Sequence, residues 1–234
     1  MNVKTFNYPL ESLAPFFYLN KRNKKNIYVF PTEKEASEFY NNFSNFVPGS
    51  SHFPAWDTLS YDSFTPSLEI QGKRLQTLHN ILVEDSFDVA MSMKSFTQKI
   101  FINDLDVIDL QISQEVDFEN LIENLVYLGY INKDRVESRG TFSIRGGQID
   151  IYPLNSEYPA RIIFNGDEVS ELKLFDYISQ RSIKNIKKVL ITPSSELFQI
   201  NQEDIYKSLK IDSKKDIDEY ELFQFSQNLE KFKT

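Results

Sequence analysis

The stretch that decides the fold reads Gly140-Thr-Phe-Ser-Ile-Arg-Gly-Gly-Gln-Ile-Asp-Ile-Tyr152. Its four apolar strand positions alternate with polar residues, and these apolar positions are Phe142, Ile144, Ile149 and Ile151. A period of two is typical of strands that bury one face. Gly146 and Gly147 interrupt the alternation and suit a turn, because glycine adopts positive φ without strain. The stretch therefore predicts two strands that a tight turn joins.

Strand-like runs continue on both sides of this stretch. The runs expected to form strands are 107–112, 135–138, 141–145, 148–152, 160–165, 168–175 and 186–192. Short turns such as Asn165-Gly166 separate them, and consecutive strands with such turns favour an antiparallel sheet. An amphipathic helix is predicted over residues 117–128, where Gly129 ends it. Residues 107–193 are therefore predicted to form an α+β, mainly antiparallel domain.

The chain before residue 107 has a different pattern, in which strand-like and helix-like segments alternate. Residues 26–31 predict a buried strand. Thr32 followed by Glu35 is a capping-box start for the next helix, and a longer helix is expected over residues 67–82. Alternation of this kind favours a parallel sheet flanked by helices. The predicted class is therefore α/β, with a parallel-sheet domain over residues 1–106 ahead of the antiparallel one.

The composition is that of a globular chain without thiol chemistry. Of the 234 residues, 41% are hydrophobic and 14% are aromatic, which is more than disordered chains carry. Cysteine is absent from the sequence, which excludes disulfides, thiolate metal sites and cysteine nucleophiles. The N-terminus lacks the apolar core of a signal peptide, and no apolar run is long enough to span a membrane. We therefore expect a cytoplasmic protein with no membrane partner.

The charge distribution argues against DNA binding by this chain alone. The net charge is −8, and residues 1–106, 107–193 and 194–234 each carry an excess of acidic side chains. Sequence-independent DNA binding needs clustered cations that release counterions from the phosphates. The strong cationic cluster at residues 21–25 is interpreted as a solvated loop before a strand.

The sequence offers no catalytic, cofactor or metal site. An ATPase of the phosphate-binding-loop type needs G-x-x-x-x-G-K-[ST]. The single Gly-Lys pair, Gly72-Lys73, is followed by Arg74 and lacks the earlier glycine. The two histidines, His52 and His79, lie in different predicted elements without metal-ligand spacing. We therefore expect no catalytic residue, no bound cofactor and no enzymatic activity in this chain.

Two blocks of sequence carry a family resemblance. The first is Phe53-Pro-Ala-Trp-Asp-Thr-Leu-Ser-Tyr-Asp-Ser-Phe-Thr-Pro-Ser67, followed by Arg74-Leu-Gln-Thr-Leu78. The second is the stretch over residues 140–188. Their order and separation resemble the module shared by the UvrB helicase and the transcription-repair coupling factor, Mfd. The resemblance covers residues 25–193.

The resemblance implies a domain organisation and a function. Residues 1–106 would be a degenerate RecA-like domain, residues 107–193 a UvrA-docking domain, and residues 194–234 the incomplete start of a returning α/β segment. The implied function is that of an N-terminal, non-enzymatic scaffold, which recruits UvrA to damage-stalled RNA polymerase in nucleotide excision repair. ATP, DNA and RNA polymerase would be bound by parts of the parent translocase that these 234 residues lack.

The candidate docking residues are charged and polar side chains of the antiparallel domain. Arg145, Arg161 and Arg181 recur across successive strand-like runs, and guanidinium groups bind carboxylates with two parallel hydrogen bonds. The resemblance implies that Arg145 and Arg161 make charged contacts to UvrA. A phenylalanine four residues after the second arginine contributes in some family members, whereas here Asn165 occupies that position and Phe164 precedes it. These five residues form the candidate UvrA-binding set. Four neighbours are interpreted as holding the turn geometry instead: Gly140, Gly146, Asp150 and Pro153.

Two alternatives from other classes stay open. One is a UvrB-like helicase or ATPase fragment that binds nucleotide through an unrecognised loop. The missing phosphate-binding loop argues against it, and a nucleotide-dependent rise in melting temperature would support it. The other is a truncated, non-functional remnant whose apolar interdomain face is normally covered, for which light scattering would reveal aggregation.

Overall fold

The computed structural model describes most of the chain, in the ranges 10–20, 24–58, 65–98, 100 and 105–196. The chain divides into two compact units, each built from two segments. The first unit comprises Met1–Trp56 and Thr77–Gln98, and the second comprises Asp57–Gln76 and Lys99–Thr234. The domain ranges proposed from the sequence stay a prediction, and residues 57–76 are counted here with the second unit. From residue 197 onward, the predicted returning segment lies outside the described residues.

The first unit is built on a parallel sheet. Its elements are α1 (Leu10–Asn20), β1 (Lys25–Phe30), α2 (Glu33–Phe43), β2 (Ser51–Phe53), the second half of α3 (Leu68–Val83), β3 (Phe87–Ser92) and α4 (Met93–Thr97). The three strands run parallel in the order β1-β3-β2. The predicted α/β arrangement is therefore confirmed. In the described ranges, no helix is both long and apolar enough to cross a membrane.

Helix α2 begins and packs as its sequence predicts. The Thr32 hydroxyl accepts a hydrogen bond from the backbone N–H of Glu35 at 3.2 Å, and the Glu35 carboxylate accepts one from the Thr32 N–H at 3.1 Å. This capping box satisfies two N–H groups at the start of the helix. Phe39 and Phe43, four residues apart, are buried and stack with ring centroids 5.0 Å apart. They lie on the face of α2 that packs against Phe30 of β1.

A histidine and a glutamate meet beside the carboxyl ends of β1 and β2. Nε2 of His52 lies 3.1 Å from Oε1 of Glu33, in the first turn of α2. Oε2 of Glu33 accepts a hydrogen bond from the backbone N–H of Ala55 at 3.2 Å. Burial raises the pKa of Glu33, but the nearby His52 and Ser92 and the hydrogen bond from the backbone N–H of Ala55 outweigh burial and hold the pKa below its ordinary value. The charged form of Glu33 therefore stabilises this unit.

The second unit holds two antiparallel systems. Besides the first half of α3, its elements are β4 (Ile108–Gln111), α5 (Phe118–Tyr127), β5 (Ile131–Asn132), β6 (Thr141–Arg145), β7 (Gln148–Ile151), β8 (Ala160–Asn165), β9 (Glu168–Phe175), β10 (Ser182–Asn185) and β11 (Lys188–Ile191). The main sheet has the order β10-β9-β8-β7-β6-β5, and β4 pairs with β11. All these pairs are antiparallel except β5 with β6. The mainly antiparallel second domain is therefore confirmed.

The ends of α5 follow the predicted signals. The Asp117 carboxylate caps the helix by accepting a hydrogen bond from the backbone N–H of Asn120 at 2.8 Å. Gly129 ends it with a φ of +83°, a conformation that glycine adopts without strain. The helix buries Leu121 and Leu125 against one face of the main sheet. This packing leaves the opposite face of the sheet for other contacts.

One predicted strand range differs from the structure. Residues 135–138 do not form a strand, and the short β5 lies earlier in the chain. Val136 is buried in a small separate cluster with Tyr152 and Phe175, so a side-chain contact holds this loop in place of a strand ladder. The predicted run 186–192 contains β11, and β10, which precedes that run and pairs with β9, is a strand that the sequence did not predict.

The first half of α3 is locked to the segment that follows β11. Nε of Arg74 lies 2.7 Å from Oε2 of Glu196, and Nη2 lies 2.8 Å from Oε1. These side chains are only 0% and 5% exposed. Gln71 accepts a hydrogen bond from the backbone N–H of Glu196 at 2.9 Å. A Cβ added at Gly72 would overlap the backbone carbonyl of Leu154, so only glycine permits this close approach.

Candidate protein-docking surface

The strand register places Arg145 and Arg161 on one face of the main sheet. Arg145 pairs with Gln148 across β6 and β7, and Arg161 pairs with Asp150 across β7 and β8. Paired residues share a face, and residues two apart in one strand also share it. Gln148 and Asp150 are two apart, so all four side chains lie on the same face.

We call this the polar face, since the opposite face is apolar. The opposite face carries the core, with the buried side chains of Phe142, Ile149 and Ile162 in adjacent strands. By the same register, the polar face carries Ser143, Arg145, Gln148, Asp150, Arg161, Ile163, Glu171 and Lys173. The alternation quoted from the sequence is therefore the division between a core face and the polar face.

Arg161 is tied into the polar face by a close pair with Asp150. Nε of Arg161 donates to Oδ1 of Asp150 and Nη2 donates to Oδ2, both at 2.8 Å. The guanidinium also lies over the ring of Phe175, 4.7 Å from its centroid. The side chain of Arg161 is 17% exposed and that of Asp150 only 2%. The hydrogen bonds to Asp150 raise the pKa of Arg161, so this arginine stays charged.

Arg145 is more open than Arg161. It is exposed at the end of β6, and its Nη2 donates to the backbone carbonyl of Asp134 at 3.0 Å. Within the part of the chain that the structure describes, no carboxylate lies within ion-pair distance of Arg145. By contrast, Asp150 neutralises Arg161, and Glu171 pairs with Lys173. The uncompensated positive charge of the polar face is therefore that of Arg145.

Comparisons with known proteins identify this region. A family model described as "UvrB interaction domain" matches residues 108–197. Residues 108–197 are therefore similar to a UvrB interaction domain. The chain is 32% identical over 142 residues to the transcription-repair-coupling factor of Mycobacterium tuberculosis, an alignment that covers 57% of this chain and 12% of the relative.

Other relatives come from both branches of the same family. The transcription-repair-coupling factor of Escherichia coli is 26% identical over 175 residues, with 73% of this chain and 15% of the relative covered. The UvrABC system protein B of Thermosipho africanus is 25% identical over 211 residues, with 82% and 32% covered. The chain is thus a UvrB-like module related to DNA-repair proteins, and it spans about a third or less of the length of these relatives.

Two further candidates are exposed in the interaction domain. Asn165 ends β8 and pairs with Glu168 across the turn at Gly166. Arg181 lies in the turn before β10, where its backbone carbonyl accepts a hydrogen bond from the N–H of Asp176 at 2.9 Å. Arg181 is therefore not a strand residue as expected, and the sheet register does not assign its side chain to the polar face.

The side chain of Phe164, unlike those of Asn165 and Arg181, is part of the core. Its side chain is 9% exposed and meets Phe118 of α5 edge to face, with ring centroids 5.1 Å apart. A register shift between Ile163 and Phe164 accompanies this placement. Phe164 therefore packs in the core, and its expected contact with a partner stays a prediction.

Asp150 is the residue that sequence reasoning misjudged. It was expected to hold a turn, but it lies within β7 and accepts hydrogen bonds from Arg161 and from Nε2 of Gln148, the latter at 3.0 Å. The alternation of the sequence could have shown this, because Asp150 stands at a polar position of β7 and Arg161 at a polar position of β8. In the described ranges, no group of three or more histidine, aspartate or glutamate side chains is placed to hold a metal ion.

Proposed function

We propose that this chain is a docking module for UvrA within a transcription-repair coupling factor, which brings UvrA to damage-stalled RNA polymerase in nucleotide excision repair. The observation that carries the proposal is the uncompensated Arg145 beside the Arg161–Asp150 pair on one face of a UvrB interaction domain. RNA polymerase, DNA and ATP would be bound by other parts of the longer protein. The proposed location is the cytoplasm, where UvrA and stalled polymerase would be met.

The polar face suits a partner with few, well-placed carboxylates. Most of its charges are paired within the sheet, and a paired charge attracts a partner only weakly. Arg145 supplies the attraction that a partner carboxylate would feel, and Arg161 supplies a second, more rigid donor. We therefore expect saturable binding of UvrA that weakens as salt is added, with a shallow salt dependence.

The test is calorimetric titration of the purified chain with UvrA at two salt concentrations. Arg145→Ala should weaken binding by about tenfold, or about 1.4 kcal/mol, since it removes the uncompensated cation. Lys188→Ala is the matched control, because Lys188 is an exposed cation on β11, outside the main sheet. We expect the control to bind as the wild type does.

The outcomes separate the proposal from its alternatives. A folded wild-type chain that does not bind UvrA would overturn the proposal. A rise in melting temperature on addition of ATP would instead support the UvrB-like ATPase alternative. Aggregation of the purified chain in light scattering would support the remnant alternative.

A further inference from the structure

The guanidinium of Arg161 is held on one edge and on one face. Asp150 accepts from Nε and Nη2, which together form one edge of the guanidinium, and the ring of Phe175 lies against its plane. Asp150 is itself steadied by the hydrogen bond from Gln148. Two parallel hydrogen bonds and a contact with the ring restrict the guanidinium more than a single contact would.

Nη1 of Arg161 remains for a partner. Among the described residues, no acceptor is hydrogen-bonded to Nη1. Freeing Nε and Nη2 for a partner would break the pair with Asp150. The carboxylate of Asp150, which is 2% exposed, would then lack its counter-charge, and this is costly in a protein interior. The Arg161–Asp150 pair should therefore stay intact while a partner binds.

We infer that Asp150 is a positioning residue for docking, which fixes Arg161 so that Nη1 meets a single carboxylate oxygen of the partner. This inference rests on the proposed function, since it concerns how the same face recognises UvrA. Rigid presentation favours binding because less side-chain freedom is lost on association. It also selects geometry, because Asp150 occupies the Nε–Nη2 edge and a partner carboxylate cannot bind along that edge.

Lysine should not replace Arg161 in this arrangement. A lysine ammonium is a point charge on a flexible stem and lacks the planar fork that bonds both oxygens of Asp150. Arg161→Lys would keep the positive charge beside Asp150 and lose the defined direction of the second donor. Arg161→Lys therefore tests whether binding needs only the positive charge or also the direction of the donor.

The experiment is a double-mutant cycle for UvrA binding, measured by calorimetry well below the melting temperature of each variant. Asp150→Asn should weaken binding by about tenfold in the wild-type background, and should have no further effect in the Arg161→Ala background. A structural role alone would give equal losses in both backgrounds. Asp167→Asn is the matched control, because Asp167 is an exposed carboxylate in the turn after β8, and it should bind normally.

Arg161→Lys provides a second variant in case Asp150→Asn does not fold. We expect it to fold and to bind about tenfold more weakly than the wild type. Wild-type affinity of folded Asp150→Asn or of folded Arg161→Lys, with binding still weakened in Arg161→Ala, would overturn this inference and leave the proposed function standing. Absence of UvrA binding by the wild type would overturn the proposed function itself.

Discussion

Two arginine–carboxylate pairs of the second unit have the same chemistry and different surroundings. Arg74 and Glu196 are 0% and 5% exposed, and they join α3 to the chain after β11. Arg161 and Asp150 join neighbouring strands, and Arg161 is 17% exposed. Both arginines donate from Nε and Nη2 to the two oxygens of one carboxylate.

The difference teaches that burial of the arginine decides what such a pair does. Arg74 is fully enclosed, so its pair holds two segments of the unit together and offers nothing to a partner. Arg161 is partly exposed and its Nη1 makes no hydrogen bond within the described residues, so its pair both links two strands and leaves a donor for a partner. The carboxylates are buried in both places, and each depends on its arginine for compensation of its charge.

The largest expected effect is that of Arg74→Ala. Removing this arginine leaves Glu196 buried without a counter-charge, which should lower the free energy of unfolding by about 3–5 kcal/mol. The double variant Arg74→Met/Glu196→Met should recover most of this loss, because an apolar pair of similar volume needs no compensation. Urea denaturation measures both, and equal losses in the two variants would contradict the role assigned to the buried charge.

The next largest effect is expected for Gly72→Ala, which tests the packing around the buried pair. The added methyl overlaps the backbone carbonyl of Leu154, so the first half of α3 must move and stability should fall by about 1–3 kcal/mol. Lys73→Ala is the control, because it changes an exposed position of the same helix. A Gly72→Ala variant as stable as the control would show that α3 does not approach this loop closely.

A smaller effect should distinguish the two arginines of the polar face. Arg161→Ala strands the carboxylate of Asp150 and should cost at least about 1 kcal/mol of stability. Arg145→Ala removes an exposed side chain and should change stability by less than about 0.5 kcal/mol. Thermal denaturation of each variant checks this, and equal losses would mean that Arg161 and Asp150 are not coupled as described.

The smallest effect concerns pH and lies in the first unit. Because the pKa of Glu33 is held below its ordinary value of 4.5 in the fold, its stabilisation is present above that pH and is lost as the pH falls through the folded value. Glu33→Gln should therefore make the loss of stability from about pH 6 to about pH 3 less steep. Glu38→Gln, at an exposed site of the same helix, is the control. Identical profiles for wild type and Glu33→Gln would rule out this contribution.

Local sequence signals were enough for most of the fold. The capping box at Thr32, the helix end at Gly129 and the hairpin at Asn165-Gly166 each act within a few residues, so they could be read directly. The run 135–138 was misread because Val136 packs as a single buried side chain, which looks like one step of an alternating strand. The sequence indicated that Arg145 and Arg161 are polar strand residues, while it did not show that Phe164 packs in the core.

By itself, the sequence determined which residues alternate, and hence most of the strands and which of their side chains are polar. Only the tertiary structure decided which polar side chains meet. Arg74 finds Glu196 122 positions later, and Arg161 finds Asp150 through the register of β7 and β8. The physical reason is that periodicity reports the face of a residue, whereas its partner depends on how distant segments align and on which charges that alignment buries.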